Sequence, residues 1–463
     1  MKRAAPLLLL LVLLSGCRLG PNYQRPAVPT PPQFRGATPD AASIAGTKWA
    51  ELFEDEALKK LLAEALEQNL DLRIASERVL EARARLQLTR AGEFPLVNVQ
   101  AGFTTSRPSL IGANPLVPAN ASMNTSYTQA GLSLSWELDF WGRLRRLSEA
   151  ARAQYLASEE GRRGVIVSLV SDVMSGYFAL RERDLELDIA RQTGGIAEDG
   201  LKLVGLRHER GAATGLDLHQ AEQLLYTATA QIASTKRDIE QTENALSLLL
   251  GKPPAEVPRG KPLEQFLTPA QVPPGLPSAL LDRRPDIRAA EQNLIAANAQ
   301  IGAVKALYFP QITLTGFLGG QSRALSELFT RPALLANIGP GAVMPLFNAG
   351  LVRAGVRYTE AQQREMLLTY QKTVLNAFRE VSDALAGYSR TREQRAQQEL
   401  LVTALNESTR LSTLRYKGGL DSYLQVLDSQ RNLFRGQLTL AQLRLQELLS
   451  FVQLYKSLGG AWQ

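Results

Sequence analysis

Residues 127–140, YTQAGLSLSWELDF, decide the fold. Leu132, Leu134, Trp136, Leu138 and Phe140 fall on one face of an extended chain, and Ser133, Ser135, Glu137 and Asp139 on the other. That is the period of two expected of a strand. A second strand-like stretch, residues 97–105, precedes it across a segment rich in Pro, Asn and Ser at 107–124. Such alternation suits a small soluble sandwich with a half-buried face, or a barrel wall with lipid outside and water inside.

Outward from these strands the pattern becomes helical. Residues 56–90 carry apolar positions at helical spacing (Leu58, Leu61, Leu62, Ala65, Leu66), reading as one amphipathic helix stopped by Phe94-Pro95. After Gly142 the helical pattern runs to about residue 210, with an interruption expected at Gly194-Gly195, and resumes over 217–250. The same order then recurs. Residues 287–307 are helical and end at Phe309-Pro310, 311–319 and 337–348 are strand-like, and 352–416 and 421–458 are helical. Phe94-Pro95 aligns with Phe309-Pro310 at an offset of 215, and Leu206-Arg207 with Leu414-Arg415 at 208. This is an internal duplication. It divides the chain into repeats at 51–251 and 286–463, joined by a Pro-rich connector at 252–285.

A helix of some 60 residues extends roughly 90 Å, which predicts an elongated molecule. The last helix shows a four-three alternation, with Leu420, Leu424, Leu427, Arg431, Phe434, Leu438, Ala441, Leu445, Leu448, Val452 and Tyr455 on the seam of a left-handed coiled coil. Arg431 breaks that seam. If the strands face lipid, four of them cannot suffice, because an open sheet in hydrocarbon would leave its edges unpaired. Several chains would have to share one barrel.

The N-terminus carries Lys2 and Arg3, an apolar run from Pro6, and then Leu14-Ser15-Gly16-Cys17. This is the form of a bacterial secretory signal of the lipoprotein type: residues 1–16 are removed and Cys17, lipidated, becomes the first residue. An extended strap, 17–50, follows. Cys17 is the single cysteine in 463 residues, so the exported chain holds no disulfide and is stabilised by packing. The net charge of +7 falls to +5 without Lys2 and Arg3. Charged residues at 21%, with no basic block, give no case for nucleic acid.

Three groups of residues carry a family resemblance: Gly20-Pro21-Asn22-Tyr23 after the cysteine, Leu276-Pro277-Ser278 with Leu281-Asp282-Arg283-Arg284-Pro285-Asp286-Ile287 in the connector, and Arg415-Tyr416 to Gly419 followed by Tyr423-Leu424-Gln425-Val426-Leu427-Asp428-Ser429-Gln430-Arg431. In order, within a duplicated frame, they resemble the outer-membrane efflux factors, the TolC-like channels, and most closely their lipoprotein branch serving resistance-nodulation-division pumps. The resemblance implies a mainly α, mixed fold. Long helical hairpins form a periplasmic tunnel, and four β-strands per chain join a shared transmembrane β-barrel of twelve strands in a homotrimer. It implies a passive, gated exit duct for drugs or other small toxic compounds, lipid-anchored in the outer membrane, whose partners are a periplasmic adaptor protein and an inner-membrane pump.

The resemblance also assigns residues. Leu424 would be an apolar constriction, and Asp428 would place three carboxylates around the axis, with Arg431 one turn away able to pair with one of them. Tyr416 and Asp217 match positions of a tyrosine-to-acid latch, while Asp217 by itself reads as a helix N-cap. The turns at Gly211, Gly215, Gly418 and Gly419 would contact the adaptor. Asp421 and Gln425 depart from the TolC pattern, at an arginine latch position and a second gate acid.

An enzyme is the reading from another class. No phosphate loop, no Ser-His-Asp set and no paired carboxylates in a cleft pattern occur, and His208 and His219, the two histidines, read as solvated. No catalytic residue, metal site or cofactor beyond the covalent lipid on Cys17 is expected. Two other readings compete: a lipid-anchored periplasmic helical scaffold, and the outer-membrane duct of a type I protein secretion system.

Overall fold

A computed structural model describes residues 18–35, 43–47, 49–107, 124–269 and 272–460. The expected signal segment and its lipidation site, Cys17, lie outside the described residues, as does most of the segment between the first two strands. The chain forms two compact units. One, the strand unit, holds the chain up to Pro26 with Val79–Ala157 and Ala290–Tyr370; the other, the helical unit, holds Ala27–Arg78, Ser158–Ala289 and the chain from Gln371 onward.

The main elements are α1 (Glu56–Gln68), α2 (Leu70–Ala91), β1 (Leu96–Ser106), β2 (Thr125–Leu138), α3 (Arg143–Glu209), α4 (Gly215–Leu249), α5 (Pro285–Lys305), β3 (Gln311–Ser322), β4 (Leu334–Val343), α6 (Leu351–Lys417) and α7 (Tyr423–Ser457). The duplication is visible in their lengths. Both α3 and α6 have 67 residues, and both α4 and α7 have 35, each pair offset by 208. Glycines of positive φ repeat with the same offset: Gly142 with Gly350, Gly211 with Gly419, Gly251 with Gly459.

The four strands form one antiparallel sheet in the order β1-β2-β3-β4. Its register carries the alternation of β2 across the whole sheet. Leu132 pairs with Val99 and Leu318, Leu134 with Val97 and Gly316, and Trp136 with Leu314. Leu314 in turn faces Pro340, and Leu318 faces Ala336. One face is therefore apolar over all four strands, while Asn98, Gln100, Ser133, Ser135, Thr313, Thr315 and Asn337 share the other. Phe317 is the exception, buried on the polar side against Gly131. Both outer strands keep an unpaired edge within the chain, and Pro340 sits on one of them, where a missing N–H is tolerated.

Two expectations of the helix pattern are corrected. The helix expected over 56–90 is two helices, because Asn69 leaves helical geometry (ψ 128°). Its side chain caps the next turn by accepting from Leu72 N (2.9 Å) and donates to Leu249 O (2.9 Å). Gly194-Gly195 does not interrupt α3, which runs through both glycines without a break.

The helical unit has its core around Val170, Val173, Met174, Tyr177 and Phe178 of α3, all buried, with Phe53, Phe266 and Phe451 packed edge-on around them. α3 also has a window apolar enough to cross a membrane. Half of that window is buried, and this core accounts for its apolar character. Tyr177 Oη donates to the buried carboxylate of Asp55 (3.1 Å), which caps α1 through Ala57 N (2.8 Å) and Leu58 N (3.0 Å) and also accepts from Lys261 N (2.8 Å). Gly260 is required beside it, since a Cβ there would stand 2.2 Å from Asp55 Oδ1.

Candidate channel gate

The helical hairpins α3–α4 and α6–α7 turn alike. Ala212 N donates to Arg207 O (2.7 Å) and Leu420 N to Arg415 O (2.9 Å), closing each long helix with a glycine in left-handed conformation, Gly211 (φ +72°) and Gly419 (φ +74°). Of the four turn glycines only these two need that conformation. Gly215 is the first residue of α4, and Gly418 N still bonds Leu414 O (3.0 Å).

Below the turns a small core joins the hairpins: Ala197, Val204, Ala221, Leu224, Tyr416, Tyr423, Val426 and Leu427 are buried together. Tyr416 packs on Tyr423 with ring centroids 5.4 Å apart, and the Arg207 guanidinium lies 4.8 Å from the Tyr416 ring. Burial pushes the Tyr423 hydroxyl above its usual value, with Tyr416 and Asp217 adding and Arg431 opposing.

Asp217 is not the N-cap read from the sequence. Thr214 holds that position, and Asp217 is the third residue of a capping box: its Oδ2 accepts from Thr214 N (2.9 Å) while its own N–H donates to Thr214 Oγ1 (3.2 Å). Among the described residues no hydrogen bond joins Tyr416 to Asp217 within the chain. Asp421 forms a forked pair with Arg415 across its turn (2.6 and 3.1 Å), and that partner holds its carboxyl below the usual range.

With Tyr423, Val426 and Leu427 buried, Leu424, Gln425 and Asp428 stand exposed on the opposite side of α7; Leu424 is 52% exposed. The seam expected from Leu420 packs only from Leu427 onward: Leu420 and Leu424 are exposed among the described residues, 71% and 52%. Asp428 and Arg431 do not pair within the chain. Asp428 accepts from Asn432 Nδ2 (3.2 Å), and Arg431 reaches across to α4, where Nη2 donates to Gln223 Oε1 (2.5 Å). Gln223 is Arg431's own counterpart at the offset of 208. It was missed from sequence, although the repeat spacing names it. Arg207 and Arg415 were also missed, and their roles depend on the turn geometry. His208 contacts the Ala213 carbonyl and His219 contacts Glu222, both on exposed surface, so the two histidines do not converge.

The family model described as outer membrane efflux protein matches residues 61–252 and 276–460, both repeats. Over 460 residues the chain is 41% identical to a solvent efflux pump outer membrane protein, SrpC, of Pseudomonas putida, covering 98% of this chain and 97% of that one. It is 38% identical over 456 residues to a probable outer membrane lipoprotein, SilC, of Salmonella typhimurium, covering 97% of each. The crystal structure of the open state of the MtrE outer membrane channel of Neisseria gonorrhoeae superposes with a TM-score of 0.87 at 31% identity, covering 96% of this chain and 99% of that one. Helical hairpins, a four-stranded sheet with one apolar face, and likeness over nearly the full length agree. The chain belongs to the outer membrane efflux protein family, and is an outer-membrane channel component of an efflux system whose helices extend into the periplasm.

Proposed function

We propose that three copies of this chain form a passive duct for drugs or other small toxic compounds, closed at Leu424 and Asp428 and held by Cys17-linked lipid. The sheet carries the reading: its apolar face suits lipid, and its two open edges cannot stay unpaired in hydrocarbon, so β1 of one copy pairs with β4 of the next. The proposed partners are a periplasmic adaptor, received at the Gly211 and Gly419 turns, and an inner-membrane resistance-nodulation-division pump that supplies the energy. At the threefold axis the exposed Asp428 carboxylates would repel one another, and charge in a narrow pore must stay hydrated or paired. Arg431, tied to Gln223, supports the gate by holding α7 to α4. The name of the Pseudomonas putida relative, a solvent efflux protein, agrees with small apolar cargo.

The test separates channel from scaffold. Cys17→Ser should remain with the outer membrane after washing with salt and carbonate, and should still require detergent for extraction. Release of the variant as a soluble protein would overturn the barrel, because a scaffold held by lipid alone is freed when the lipid is removed.

A further inference from the structure

All four strand–helix connections of the sheet lie at one end: Ala91 to Leu96, Leu138 to Arg143, Lys305 to Gln311 and Val343 to Leu351. The strand ends at Ser106 and Thr125, and at Gly320 and Leu334, pair at the other end. Since the helices extend into the periplasm, the connection end meets the periplasmic leaflet. Its aromatic residues fit an interface: Phe94 is exposed, and Trp141 stacks on Phe309 at 4.8 Å.

At this level a cavity of about 460 Å³ opens between the last turn of α2 and the first turns of α3. Arg18, Arg90, Arg145 and Arg152 line it against two carboxylates, Glu93 and Glu149. Both carboxylates are engaged. Glu93 accepts from Ser148 Oγ, and Glu149 accepts from Arg146 (2.9 Å), which is buried and does not face the cavity. Arg145 is tied to the Asp139 carbonyl (2.8 Å) and carboxylate (3.3 Å). Arg18, Arg90 and Arg152 are exposed, and no ion pair engages them among the described residues.

We propose that this cavity binds the phosphate group of an anionic phospholipid of the periplasmic leaflet, with Arg18, Arg90 and Arg152 as the contacts. Three unpaired guanidiniums converging on one cavity repel one another, and a phosphate relieves that repulsion by charge-assisted, forked hydrogen bonds. Desolvation near the interface strengthens the contact relative to bulk water. Arg18 is placed at the site by the strap: Leu19 N donates to Trp141 O (3.2 Å), and Arg146 Nε donates to Leu19 O (3.0 Å). A free phosphate ion offers the same chemistry without the acyl chains. The proposal rests on the outer-membrane reading of the sheet and is independent of the gate.

The experiment is native mass spectrometry of the purified full-length protein from micelles holding phosphatidylglycerol and phosphatidylethanolamine in equal amounts, with planar-bilayer conductance measured on the same samples. The wild type should retain phosphatidylglycerol in preference, and Arg90→Gln with Arg152→Gln should lower that preference by about fivefold per arginine. Excess inorganic phosphate should leave the preference largely intact. No preference in the wild type, or an unchanged preference in the double variant, would overturn the site; complete displacement by inorganic phosphate would overturn the lipid as its ligand. A sample without conductance fails the channel reading, which keeps that failure distinct from failure of the lipid site.

Discussion

Glu182→Gln is expected to stabilise the protein increasingly as pH rises above 5, most above pH 8, with the smallest effect near pH 5. Glu182, on α3 in the periplasmic helices, is 1% exposed, and among the described residues its carboxylate oxygens make no hydrogen bond, the nearest carboxylate being that of Glu186. Arg183 lies 3.4 Å away but is engaged more closely by Glu186, at 2.6 Å, and Asp238 of α4 shares its charge. Burial first, then the charge of Glu186, pushes the Glu182 carboxyl from 4.5 up to about 8 against the pull of Arg183. The folded state therefore keeps a proton that the unfolded chain releases near pH 4.5. Stability is full below that value, declines as pH rises, and is at its lowest above pH 8, where the buried group must ionise. Glutamine, of the same shape and never charged, removes the decline. Denaturant midpoints from pH 5 to 9 should diverge between the two proteins; parallel curves would show that Glu182 is ionised or hydrated in the folded state.

Asp55→Ala should cost about 4 kcal/mol, the loss expected when a buried charged acceptor with several donors is removed. Four donors converge on Asp55: two N–H groups of the first turn of α1, the Tyr177 hydroxyl and the connector N–H of Lys261. An alanine leaves all four to compete for water in a site that is 2% exposed. Asparagine keeps one oxygen and should cost less. The check is urea unfolding followed by far-UV circular dichroism, and a loss below about 1 kcal/mol would mean that the carboxylate is an ordinary cap.

Sequence reading succeeded where information is local or periodic. The alternation of residues 127–140 gave β2 almost to the residue, and a single matched pair, Leu206-Arg207 with Leu414-Arg415, gave the offset of 208 that relates whole helices. It failed where a local pattern has a distant arbiter. Asn69 sits in an unbroken apolar spacing, and the break depends on its bond to Leu249, 180 residues away. Asp55 accepts from the connector N–H of Lys261, 206 residues further on, a partner that no local pattern names. Asp428 and Arg431 have the spacing of a helical pair, but Gln223 offers Arg431 a partner across the hairpins. The lining of the lipid cavity is of the same kind, since Arg18, Arg90 and Arg152 meet only when the strap folds onto the strand ends.

The measurement closest to the central claim is single-channel conductance of the purified protein in planar bilayers, compared with Asp428→Ala. The duct proposed here should give small, rarely open steps in the wild type and larger or longer openings, severalfold in open probability, in the variant. No conductance from either protein, in material shown to be folded and inserted, would contradict the channel; identical conductance in both would contradict the gate at Asp428.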